Sequence, residues 1–256
     1  MTIDFGKTAA DYGQHRQGFP SAFFERLTAM GLIALGMRAL DLGTGTGSIA
    51  RGLALAGCET TGLDIAAPLL EQARRLDADV GVNVSYQVAP AEDTGLPDAT
   101  FDIVTAGQCW HWFDRLRAAD EVMRLLVPGG AVVIAHLDWI PLPGNVVMAT
   151  EELILKHNPS WGMSGGTGLY PAWLSDLAVA GFSDIQTFSF DLNLTYTHEA
   201  WCGRIRASAG VSASLAQGAV AAFDDDLRNL LLRDFAEDPL HVYHRVWAVV
   251  GKKPKT

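Results

Sequence analysis

Ala39-Leu40-Asp41-Leu42-Gly43-Thr44-Gly45-Thr46-Gly47 is the stretch whose reading decides the fold. Its apolar opening reads as a buried strand and the segment after Gly47 as a helix. The glycines between them suit a turn that needs left-handed dihedrals and lets a ligand approach the backbone closely. Asp64 closes the next strand 21 residues after Gly43, the interval at which a carboxylate receives ribose hydroxyls. Outward from the loop, short apolar runs bounded by Gly, Pro or Asp mark strands at 38–42, 59–65, 83–88, 101–106 and 131–139. Helical spacing covers 47–57, 67–78 and 114–126, closed by Gly57, an Asp-rich turn and Pro128-Gly129-Gly130. Strand and helix alternating at this pitch predict an α/β chain with a doubly wound, mostly parallel sheet covered on both faces.

Before the first strand, Pro20 to Leu35 has amphipathic helical spacing, with Phe23, Phe24, Leu27, Met30 and Ile33 along one side. Beyond Trp139 the pattern loosens. Helices are expected over 146–157, 171–180, 198–209 and 213–235, and strands over 184–196 and 241–251, giving seven strands with helical insertions in the C-terminal half. The glycine-rich stretch NPSWGMSGGTG at 158–168 reads as a mobile lid. With no internal repeat, 1–256 is read as a single domain: an N-terminal cover over 1–36, a ligand-binding core over 37–139, substrate-facing insertions and lid over 140–240, and a final strand over 241–251.

A composition of 49% hydrophobic and 19% charged residues is that of a globular protein with ample core. A net charge of −10 repels phosphate backbones, so no nucleic-acid partner is expected. Cys58, Cys109 and Cys202 stand apart without ligand spacing, which argues against a metal site or a disulfide framework and for a reducing, cytoplasmic setting. MTIDFGKTAADYG lacks a basic segment followed by an apolar one, and no run of about 18 apolar residues occurs. Neither secretion nor a membrane span is expected. A small-molecule substrate is the expected partner; the lid and late helices leave room for a homodimer surface, without a stripe that defines one.

Two cofactor chemistries use a glycine loop followed by a distant acid. Dinucleotide sites follow G-x-G-x-x-G, whereas the spacing here is G-x-G-x-G, and Ala50 stands at the third site counted from Gly45. Asp41 would add negative charge beside a pyrophosphate but suits an ammonium group. This favours S-adenosylmethionine (SAM). LDLGTGTG, GLDI, AEDTGLPDATFDIVTAGQCWHWFD and RLLVPGG succeed one another over about residues 38–135. In that order they resemble the class I SAM-dependent methyltransferases, in detail their small-molecule type 11 group. AADYGQHRQGFP resembles the stretch these proteins fold over the cofactor, and 140–240 matches only loosely. The resemblance implies a Rossmann-like methyltransferase fold and transfer of the SAM methyl to an O, N or C atom of a small metabolite by in-line displacement. Two other readings stay open: a cyclase or lyase that uses SAM alone and releases methylthioadenosine, and a non-catalytic SAM-binding protein.

By resemblance, Asp41, Gly43, Thr44, Gly45 and Gly47 hold the methionine part of SAM, Asp64 takes the ribose hydroxyls and Ile65 packs on the adenine. Pro90 stands near the position where many relatives carry an Asp for the adenine amine, so backbone groups near Ala91, or Glu92, substitute for it. Gln108, Trp110 and Trp112 leave the carboxyl end of the fourth strand, where open α/β sheets place ligands, and are expected to line the cofactor. His111 in the same segment is a candidate base, since a neutral imidazole accepts a proton near neutrality; orienting SAM is its other reading. Tyr12 and Arg16, four apart, would face one way on a helical turn, with Arg16 able to grip a carboxylate through two hydrogen bonds. Tyr170 and Asn145 complete the catalytic candidates on the acceptor side.

Overall fold

The computed structural model describes residues 18–255 apart from 209 and 213, so Tyr12 and Arg16 lie outside the described residues. Helix α1 (Ser21–Ala29) precedes strand β1 (Arg38–Leu42). Then alternate α2 (Ser48–Leu55), β2 (Glu59–Asp64), α3 (Ala67–Val80), β3 (Ser85–Val88) and β4 (Phe101–Gly107). A 3₁₀ turn at Trp110–Trp112 leads to α4 (Arg115–Leu125) and β5 (Leu126–Trp139). The second half holds α5 (Val146–His157), α6 (Ala172–Val179), β6 (Ser183–Tyr196), α7 (His198–Arg206), α8 (Gln217–Asp234) and β7 (Leu240–Lys252).

The strands form one sheet in the order β3-β2-β1-β4-β5-β7-β6. β1 pairs in parallel with β2 and β4, β2 with β3, and β4 with β5. The Gly129 amide donates to the Lys253 carbonyl and the Lys253 amide to that of Gly130. This sets the end of β7 beside the start of β5, so the sheet is mixed. Strand order reverses between β1 and β4, and the crevice at the carboxyl ends there is where doubly wound sheets bind ligands. The glycine loop leaves β1 at that point.

Packing divides the chain into two compact units, one of Gly18–His136, Tyr170–Ser189 and Trp247–Thr256, the other including Leu137–Leu169 and Phe190–Val246. In the first, Leu40, Leu42, Val104, Val132 and Ile134 pack with Trp110, Trp173 and Trp247. In the second, Val147, Ile154, Trp201, Phe223 and Leu227 form the core. No helix among the described residues is long and apolar enough to cross a membrane.

Two elements differ most from the sequence pattern. Helix α1 stops at Ala29 instead of continuing to Leu35, because Gly31 turns at φ +67° and the Leu32 amide reaches back to the Leu27 carbonyl at 2.9 Å. This six-to-one closure is a glycine stop, and it buries Leu32 and Ile33 beyond the helix. β5 begins at Leu126, so Pro128-Gly129-Gly130 lies within the strand. Leu126 faces Phe101 while Ala131 faces Ile103. The surplus residues are taken up in an irregularity between these two pairs, within which Gly129 takes φ +82°.

Candidate active site

The glycine loop is built around two carboxylates. Asp41 at the end of β1 is buried; its Oδ2 accepts from the Thr44 hydroxyl and its Oδ1 from the Thr105 hydroxyl, each at 2.7 Å. Burial raises its pKa to about 6 despite those hydrogen bonds. Asp41 therefore sits beneath the loop, one oxygen engaged by Thr44 of the loop and the other by Thr105 of β4. At the end of β2, Asp64 accepts from the Gly45 amide through Oδ2 and from the Ala66 amide through Oδ1, both at 2.8 Å. Burial raises its pKa as well, against the pull of these backbone donors.

Gly43, Gly45 and Gly47 have φ of +58°, +56° and +79°, the region that favours glycine. A Cβ on Gly43 would lie 2.9 Å from Cys109 and one on Gly47 2.3 Å from the Tyr86 hydroxyl, while one on Gly45 would meet nothing within 4 Å. Gly45 thus borders open space and its neighbours are packed. Cys109 is buried and donates its thiol to the Leu42 carbonyl at 3.2 Å, which ties the end of β4 to the loop.

The carboxyl ends of β4 and β5 gather a second group. Gln108 takes φ +60°, rare for a residue with a side chain, while its amide bonds the Ala135 carbonyl at 2.9 Å; such strain concentrates at functional sites. The ring of His111 lies 5.3 Å from that of His136 on β5. The Tyr170 hydroxyl is 3.0 Å from His136 Nδ1. Tyr170 stacks on Trp173 with centroids 4.3 Å apart, and Trp247 lies edge-on to Trp173 at 5.6 Å. His136 joins the two catalytic candidates His111 and Tyr170, and the sequence reading missed it. A polar residue inside the apolar run AVVIAHLDW was the available signal.

Other expected residues fall elsewhere. Trp110 has no exposed surface and donates from Nε1 to Asp176 at 3.1 Å, so it belongs to the core and not to a cofactor wall. Trp112 is 44% and Ile65 74% exposed, and both present apolar surface outward. Ala91 is buried, and Glu92 accepts from the Asp114 amide at the start of α4 at 2.8 Å. Asn145 caps α5: its Oδ1 accepts from the Met148 and Leu142 amides, and its Nδ2 donates to the Ile140 carbonyl at 2.9 Å. That backbone role accounts for Asn145 without catalysis. In the same unit, Glu151 is buried and accepts from the Trp139 indole and the Gly165 amide at 2.8 Å and from the Ser164 hydroxyl at 3.2 Å, tying the glycine-rich 158–168 loop to α5.

The model of a methyltransferase domain matches residues 40–134. The chain is 31% identical over 153 residues to an uncharacterised methyltransferase of Mycobacterium tuberculosis, covering 57% of this chain and 60% of that protein. It is 39% identical over 139 residues to the demethylmenaquinone methyltransferase of Thermus thermophilus, covering 52% and 62%. The matches thus span about three fifths of these relatives. The fold resembles that of Haemonchus contortus phosphoethanolamine N-methyltransferase 2 in complex with S-adenosylhomocysteine (SAH), with TM-score 0.59, 21% identity, and 98% and 60% of the two chains covered. At that identity the likeness concerns the fold alone.

Proposed function

We propose that this chain, whose residues 40–134 match the model of a methyltransferase domain, is a SAM-dependent methyltransferase that moves the SAM methyl to an O, N or C atom of a small metabolite. One observation carries the reading: a left-handed glycine loop, tied to Asp64 and underlain by Asp41, at the switch point of a doubly wound sheet. The residues fit the cofactor. Gly45 borders open space, Asp64 keeps acceptor capacity beyond its two backbone donors for a pair of hydroxyls, and exposed Ile65 offers an apolar shelf for a planar base. Asp41 contributes negative charge under the loop where an ammonium group would lie. When bound, SAM supplies an electrophilic methyl on a positively charged sulfur.

The remaining work belongs to the chain. Holding an acceptor in line supplies about 7–11 kcal/mol in favourable cases. His136 and Tyr170, 3.0 Å apart and beside His111, provide a group that takes the proton released by a hydroxyl acceptor. An amine acceptor already deprotonated would not need it.

Mass spectrometry of the protein with SAM, first alone and then with pooled small metabolites, tests the reading. SAH and a product heavier by one methylene, both dependent on the metabolite pool, are the expected outcome. Methylthioadenosine formed from SAM alone would replace transfer by ring closure or elimination. Saturable binding without either product would leave a binding protein.

A further inference from the structure

Behind the glycine loop lies a buried polar cluster that the proposed transfer does not use. Arg51 on α2 places Nε 2.8 Å from Asp77 Oδ1 on α3. Its Nη2 donates to the Thr46 carbonyl at 2.9 Å and approaches the Ala73 carbonyl at 3.3 Å. Asp77 is buried on the same helix face as Leu69, Leu70 and Ala73. Tyr86 on β3 closes the cluster: a Cβ on Gly47 would meet its hydroxyl at 2.3 Å and Arg51 Nη2 at 3.2 Å, and one on Gly62 would meet its ring at 2.7 Å.

A buried ion pair is a poor stabiliser, since apolar residues of similar volume often replace it without loss. What this pair does is aim one guanidinium arm at a loop carbonyl. The peptide between Thr46 and Gly47 is then held at both ends, its carbonyl by Arg51 and its amide by the Thr44 carbonyl at 2.9 Å. It cannot rotate without breaking both bonds, and Tyr86 leaves no space for the loop to sink. Just ahead of it stands Gly45, whose amide is already tied to Asp64.

We propose that Arg51, locked by Asp77 and backed by Tyr86, is a positioning residue that fixes the Thr46–Gly47 peptide and so holds the loop in the form that receives the methionine half of SAM. The proposal rests on the SAM reading, and calorimetry with SAH separates the two. Full-length wild type, Arg51→Lys and the double variant Arg51→Met/Asp77→Leu are titrated with SAH, and their thermal midpoints measured without ligand. The double variant removes both charges together and is expected to melt within a few degrees of wild type, yet to bind SAH at least tenfold more weakly. Arg51→Lys keeps a cation for Asp77 but lacks the second arm for Thr46, and is expected to lose affinity to a similar extent. If the double variant does not fold, Arg51→Lys decides. A folded variant that binds SAH within twofold of wild type would overturn the proposal. Failure of the wild type itself to bind SAH would overturn the SAM reading and this inference with it.

Discussion

Asp41 and the loop glycines carry the sharpest predictions at the scale of single residues. Burial lifts the Asp41 pKa from 3.8 to about 6, so its contribution to stability is fully present below about pH 4 and is lost as pH rises through 6. On the SAM reading, a ligand ammonium above the loop would favour the charged carboxylate and pull that pKa back down. SAH affinity should therefore strengthen with pH, by roughly tenfold between pH 5 and pH 7. Calorimetry across that range should show the slope in wild type and a shallower one in Asp41→Asn, in which Asp64, also raised by burial, remains; equal slopes would refute the linkage. The glycines should differ in their tolerance of a methyl group. Gly45→Ala meets open space and costs the left-handed penalty of about 1–2 kcal/mol. Gly47→Ala adds a contact at 2.3 Å with Tyr86, and denaturant melts should show it to be the more destabilised of the two. The loop and Asp64 were legible because glycine spacing and an acid at a set interval are local signals. Asp41 was legible as a charge, but its place beneath the loop depends on Thr44 and Thr105, and Thr105 lies 64 residues away.

At the scale of elements, caps and ties make claims that thermal melts can check. Asn145 accepts two amides ahead of and within the first turn of α5, so Asn145→Ala should cost about 1 kcal/mol and leave methyl transfer per folded molecule unchanged. A loss of kcat with an unchanged melt would restore it as a catalytic group. Glu121 on α4 binds the Thr94 amide and hydroxyl and Arg124, which also reaches Asp98. Its hydrogen bond from Arg124, with those from Thr94, lowers its pKa to about 2. The stabilisation is present above about pH 4.5 and lost as pH falls through 2. Glu121→Gln should thus cost about 1–3 kcal/mol at pH 7, with the gap narrowing in acid. An equal gap at pH 7 and pH 2.5 would contradict this. Element positions were legible because short Val- and Ile-rich runs between glycines have one reading; α5 and β1 fall where the periodicity put them. Ends were less so. The stop of α1 at Ala29 depends on the Gly31 turn, and the early start of β5 on a register shift between Phe101 and Ile103, both decided by neighbours in space.

At the scale of the whole molecule, strand order is what gathers distant residues into one place. β1 between β2 and β4 brings Asp41, Asp64 and Cys109 to the glycine loop, and β5 beside β4 sets His136 next to His111. The sequence announced the strands and not which side chains would meet. Trp110 looked like a site residue because it leaves β4, yet the turn directs it into the core against Asp176. Asp77 and Arg51 passed unnoticed, although a carboxylate four residues beyond Ala73 on the apolar face of α3 was a visible exception to its pattern. The proposed methyl transfer requires that the loop and Asp64 hold SAM. Calorimetric titration of wild type and Asp64→Ala with SAH tests this most directly. Saturable one-site binding, weakened at least tenfold in a variant that remains folded, is the predicted result. An undetectable heat with wild type, or equal affinity in the two proteins, would contradict it.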